Sequence, residues 1–139
     1  MTTAQTSSRP VDIRLVLSAH WAVMVLVFAY VDIFAFYRPD VIEGTLAGTV
    51  PGVEIEIGQG FLVAALGYIL PPILMVVASL VLDRRILRPV TLVLGVFYAV
   101  SIAGLCIGES WAYYLVGSAF EVVLLASLVW RAWRWPSSD

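Results

Sequence analysis

Two acidic residues, Asp32 and Glu121, stand inside apolar runs of the sequence. An ionisable side chain at the centre of a membrane helix costs roughly 2.5–3.5 kcal/mol on insertion scales, so such residues turn toward a bundle interior or a wet cavity. Glu121 lies ten residues beyond Trp111, which places it about 15 Å along a helix axis and near a bilayer midplane. Tyr114, Ser118 and Glu121 fall at i, i+4 and i+7, a spacing that puts them on one helix face. A carboxyl group taken out of water favours its neutral form, and a neutral acid can donate a proton. The competing reading is that Glu121 hydrogen-bonds a tyrosine or serine of a neighbouring helix and holds the bundle together. Asp32 is shallower and shares a face with Trp21, Val25 and Phe28. It is read either as a second acid in the same cavity or as an interfacial residue pairing with Arg38.

Tyr98 and Ser101 are three residues apart and point the same way, at the depth of Glu121. Gln59 stands at the mouth of the second apolar segment. With Tyr30, Tyr114 and Ser118 these residues define a candidate substrate-binding pocket around the two candidate catalytic acids. His20 is the only histidine and Cys106 the only cysteine, so one chain offers neither a disulfide framework nor a His- or Cys-rich metal site. His20 is expected to be a helix-contact residue. No phosphate-binding glycine loop, paired cysteine motif or Ser-His-Asp set is present, and no cofactor is expected.

Four elements must position these residues. The 139-residue chain is 61% hydrophobic and 13% charged, against roughly 25% charged in a soluble domain. Apolar segments at about 15–37, 58–82, 89–108 and 111–135 are each long enough to span a bilayer core, which needs about 20 residues. The fold class expected is all-α, a membrane four-helix bundle of antiparallel helices spanning 15–135, preceded by a disordered cytoplasmic tail over 1–14. That tail lacks the pattern of a cleaved signal peptide. Pro89 suits the first turn of the third helix. Short turns should make helices two to four successive neighbours. Pro71-Pro72 should kink the second helix. Small residues at Gly95, Ala99, Gly104 and Gly108 allow close helix contact.

The longest connection, 38–57, holds Pro39, Gly44, Gly48, Pro51 and Gly52, with a short interfacial helix expected over Asp40–Ala47. Val53 to Ile57 alternates as a strand would, with no partner strand visible. Seven of the eight arginines fall on one side of the four segments and Arg38 alone on the other. The positive-inside rule therefore puts both termini in the cytoplasm and the long loop outside. The expected location is the inner (plasma) membrane. A net charge of −2 gives no basic surface for nucleic acid.

The run Tyr30-Val31-Asp32-Ile33-Phe34, the glycine-containing loop, Gln59-Gly60-Phe61-Leu62, the proline-interrupted second helix, and Tyr113-Tyr114 followed by Ala119-Phe120-Glu121 resemble a family of small bacterial four-helix integral membrane proteins of unknown function. The resemblance covers about Leu15 to Trp135. It implies no activity and marks Asp32 and Glu121 as the positions to watch. Such relatives often carry an acid beside the second-helix proline, where this chain has Ile69-Leu70-Pro71-Pro72.

Three functions are compatible with these residues. One is an acid/base enzyme, an isomerase, cyclase or epoxide-opening catalyst, acting on an apolar isoprenoid, polyketide or lipid held in an outward-facing pocket. The second is a small proton-coupled transporter or channel, with homo-oligomerisation supplying a path that one chain lacks. The third is a non-catalytic membrane partner subunit. Polar residues are sparse in the inner half, where helices one and two offer Ser18, His20 and Ser79, and this favours a one-sided pocket.

Overall fold

A computed structural model describes residues 11–53 and 55–136. Residues 1–10, most of the expected tail, lie outside the described residues; Ile13 and Arg14, its last part, are already helical. The helices are α1 (Ile13–Ala35), α2 (Pro39–Ala47), α3 (Gln59–Val81), α4 (Arg84–Leu105) and α5 (Ala112–Trp133). No strand is formed among the described residues. Four of the helices, α1, α3, α4 and α5, have 22 or 23 residues and are long and apolar enough to cross a membrane. Their outward faces carry exposed Leu62, Val77, Val93, Val116 and Val123, a surface that lipid rather than water solvates. The molecule is an all-α four-helix membrane bundle.

Each long helix buries a narrow stripe at alternating three- and four-residue spacing, the geometry of helices packed at small crossing angles. The stripe is Leu17, Trp21 and Met24 on α1, and Pro72, Met75 and Ser79 on α3. On α4 it is Leu87, Thr91, Gly95, Tyr98 and Ile102, and on α5 Ser118, Glu121, Leu125, Leu128 and Ala132. Asp12 caps α1, its side chain accepting from the Arg14 N–H at 2.9 Å. Close approach of α4 and α5 rests on Gly95, where an added Cβ would stand 2.6 Å from Val129 Cγ2.

Two details differ from the sequence expectation. First, α4 starts at Arg84, so Pro89 lies within the helix rather than at its first turn. The extra turn forms because Asp83 O accepts from both Ile86 N and Leu87 N, while Leu87 is fully buried in the core. Second, α1 packs extensively on α3 and on α5, and α4 on α5, but α3 and α4 touch only sparingly despite their short connection. Large rings stand between them: Tyr68 and Tyr98 meet at 5.0 Å between centroids, and Tyr68 and Phe97 at 6.2 Å.

The long loop contains the expected interfacial helix, α2, ended by Gly48 in the left-handed region at φ 76°. Beyond it, Thr49 and Glu56 pair as an isolated antiparallel bridge, with Val50 N donating to Ile55 O at 2.9 Å and Ile57 N to Gly48 O at 2.8 Å. The alternating segment thus finds its partner in the turn that precedes it. Arg38 ties the loop to the α4–α5 turn: it pairs with Asp40 at 2.7 Å and with Glu109 at 2.9 Å. The alternative partner for Asp32 is therefore engaged elsewhere.

Candidate functional site

The proline pair in α3 shapes the site. Pro72 has no N–H, so the carbonyl of Tyr68, four residues earlier, loses its helical donor. In lipid such a group must be satisfied by a neighbour. Tyr98 of α4 supplies the bond, its hydroxyl donating to Tyr68 O at 2.5 Å. Ser101 donates its single proton to Tyr98 O at 3.1 Å, so the 2.7 Å contact between Tyr68 Oη and Ser101 Oγ has the tyrosine as donor. Side chains thereby bridge the thin α3–α4 seam. The buried residues of α3 all lie from Pro72 onward, while Leu62, Val63 and Leu66 in its first half are exposed.

A cavity of about 90 Å³ occupies the loop-side half of the bundle that this arrangement leaves. It is lined by Phe28, Val31 and Asp32 of α1, Tyr68 of α3, Ile102 and Leu105 of α4, and Tyr114, Ser118 and Glu121 of α5. All four long helices contribute. Asp32 is exposed and stands at its rim, whereas Glu121 is only 3% exposed. Glu121 Oε1 is buried with no hydrogen-bond partner. Buried polar groups are almost always paired, so an orphaned carboxyl oxygen in a cavity is the marked feature of this site. The lining carries two carboxyl groups and three aromatic rings but no basic side chain, an environment that favours positive charge.

Of the residues singled out in the sequence, Asp32, Tyr114, Ser118 and Glu121 meet in this cavity. Tyr98 and Ser101 do not line it; they are occupied in bridging to Tyr68. Tyr30 lies instead on a separate apolar groove between α1 and α5, about 400 Å³, with Val31, Phe34 and Gly117. Gln59 is exposed at the start of α3. His20 makes a helix contact, with Nδ1 2.7 Å from Val16 O and Nε2 3.3 Å from Ser127 Oγ. No cluster of potential metal ligands occurs among the described residues.

Sequence reasoning missed Tyr68. Two signals pointed to it: it continues the Pro72–Met75–Ser79 stripe by one turn, and its carbonyl is the one that Pro72 must orphan.

The model of a family of unknown function, DUF6326, matches residues 11–139. The chain belongs to this family. The match includes all five helices and every residue of the acid cavity. No curated protein and no solved structure matches the chain.

Proposed function

We propose that this DUF6326 chain is a membrane-embedded acid/base enzyme whose Glu121 protonates one functional group of an apolar substrate. The observation that carries this reading is the unpaired Glu121 carboxyl oxygen, buried in a cavity it shares with Asp32. A carboxyl group serving only to hold helices together would be bonded to its neighbours.

The dimensions restrict what enters. A space of about 90 Å³ admits a double bond or an epoxide, not a whole ligand of the size that typically fills about 300–1,000 Å³. The groove of about 400 Å³ between α1 and α5 shares Val31 with the cavity and is lined mainly by apolar side chains. An isoprenoid, polyketide or lipid chain lies there in this reading, with its reactive end past Val31. Glu121 then acts as general acid. Asp32 and the rings of Phe28, Tyr68 and Tyr114 stabilise the cation that protonation creates, and Asp32 as base takes up the proton released when the cation closes to a new double bond.

Isomerisation, cyclisation and epoxide opening share that step and need no redox partner. The rest of the core supports a one-sided site. On the termini side of Glu121 the buried core is mainly apolar, with Met24, Trp21, Leu125 and Leu128, and among the described residues its buried polar groups are the hydroxyls of Ser18, Ser79 and Thr91, with no further buried charged group of the kind a proton-coupled transporter uses along its path.

The arginine distribution supports an inner-membrane location with cytoplasmic termini. Arg14, Arg84, Arg85, Arg88, Arg131 and Arg134 stand at one end of the helices and Arg38 at the other, so the positive-inside rule turns the acid cavity outward.

The test is transfer of solvent hydrogen. Protein in lipid nanodiscs is incubated in D2O with a panel of polyprenyl olefins and epoxides, and products are read by mass spectrometry. Deuterated product with the wild type and none with Glu121→Gln supports the enzyme. A panel left unchanged, together with proton flux in liposomes that Glu121→Gln abolishes, would replace it with transport.

A further inference from the structure

The opposite end of the bundle holds a second arrangement, independent of the acid cavity. Arg84, Arg85 and Arg88, with Pro89 and Leu92, line a concavity of about 410 Å³ at the start of α4. Two of these arginines are held in place. Arg84 Nη2 donates to Trp135 O at 3.0 Å and its guanidinium lies 5.6 Å from the Trp135 ring centroid. Arg88 Nη2 donates to Trp133 O at 3.0 Å. A guanidinium has five N–H donors, so each keeps most of its fork free, and the Nε of both is buried with no partner. Arg85 is exposed. The ion pairs among the described residues are both made by Arg38 at the far end, so none of the three has a carboxylate partner there. Asp83, the nearest acid in the chain, is exposed and its side chain does not cap α4. Three guanidinium groups around one concavity repel one another unless an anion lies between them.

Pro89 also borders a second concavity, about 290 Å³, formed with Val90, Val93 and Leu94. This one is purely aliphatic and runs along the membrane face of α4, where Val93 is exposed. A cationic recess at the end of a membrane span therefore opens, across one residue, onto an apolar recess at hydrocarbon depth. The first calls for a phosphate and the second for a chain attached to it. We propose that this face is a binding site for an anionic glycerophospholipid, its phosphate on Arg84, Arg85 and Arg88 and one acyl chain along Pro89, Val90, Val93 and Leu94. Arginine forks suit phosphate oxygens, and basic recesses beside membrane helices recognise acidic lipid headgroups. The lipid would also fasten the end of α5 to α4, because the same arginines hold the Trp133 and Trp135 carbonyls.

Delipidated protein in neutral detergent tests this by thermal unfolding with added phosphatidylglycerol, phosphatidylcholine or inorganic phosphate. Phosphatidylglycerol should raise Tm saturably, and the other two should not at equal concentration. Arg85→Gln removes a guanidinium that bonds no described residue, so it should leave Tm without lipid unchanged and weaken phosphatidylglycerol binding about five-fold, with a further loss for Arg85→Gln/Arg88→Gln. Equal protection by phosphatidylcholine would overturn the site as a general lipid effect. Full protection by inorganic phosphate would overturn the acyl-chain part. Unaltered phosphatidylglycerol binding in both variants would overturn it altogether.

Discussion

The Tyr98 hydroxyl donates to the main-chain oxygen of Tyr68 at 2.5 Å, the carbonyl that Pro72 deprives of its helical donor. One side chain of α4 thus completes the hydrogen bonding of a break in α3, and the two helices, which otherwise touch little, are coupled at that point. Removing the hydroxyl leaves a buried acceptor unsatisfied. Tyr98→Phe should lower stability by about 1–3 kcal/mol. Pro72→Ala restores the missing N–H, so the double variant Tyr98→Phe/Pro72→Ala should lose less than the sum of the single changes. Thermal unfolding in detergent of the four-member cycle measures this coupling, and strictly additive losses would contradict it.

Glu121 should behave oppositely to a structural acid. Because its Oε1 lacks a partner, Glu121→Leu removes an unsatisfied buried group and should raise stability by about 1–3 kcal/mol, while abolishing any acid catalysis. A fall in Tm for both Glu121→Leu and Glu121→Gln would mark the carboxyl as a packing element.

The wall between cavity and groove can be probed through Gly117, where a Cβ would stand 2.7 Å from Val31 Cγ2. Valine is stiff at χ1, so Val31 cannot turn aside freely. Gly117→Ala should cost about 1–3 kcal/mol, and Val31→Ala should recover part of that cost in the double variant. Equal stability of Gly117→Ala and the wild type would show that α1 and α5 are not held this closely.

The loop end should be sensitive to acid. Glu109 is held below its ordinary carboxylate range by the Trp111 N–H first, with Arg38 and the Ser110 N–H adding to it, and Asp40 is lowered by Arg38. A carboxylate with a depressed folded-state pKa stabilises the fold above its ordinary value and loses that contribution as pH falls through the folded value. Order in α2 and the 48–57 turn should therefore persist at neutral pH and be lost below about pH 4. Hydrogen exchange of the loop amides across that range reads the effect. Arg38→Gln should loosen the loop at neutral pH and flatten its pH dependence; an unchanged exchange profile would remove Arg38 as the link.

The sequence by itself determined the four spans, the interfacial helix α2, the clustering of arginine at one end, and the depth of Asp32 and Glu121. These follow from length, from the cost of charge in hydrocarbon and from proline and glycine punctuation, all of which act along one helix. What only the tertiary structure decided was rotation about each helix axis. Lipid and core are both apolar, so an apolar helix carries little pattern to say which face turns inward. The sequence therefore listed Tyr30, Gln59, Tyr98 and Ser101 beside Tyr114 and Ser118 at suitable depth. Packing then placed Tyr30 on the α1–α5 groove, left Gln59 exposed, and engaged Tyr98 and Ser101 with Tyr68. It also brought the two acids, separated by roughly 310 Å of fully extended chain at ~3.5 Å per residue, into one cavity. That meeting depends on α1 and α5 packing side by side, and on a proline break in α3 whose repair by Tyr98 holds the far wall in place.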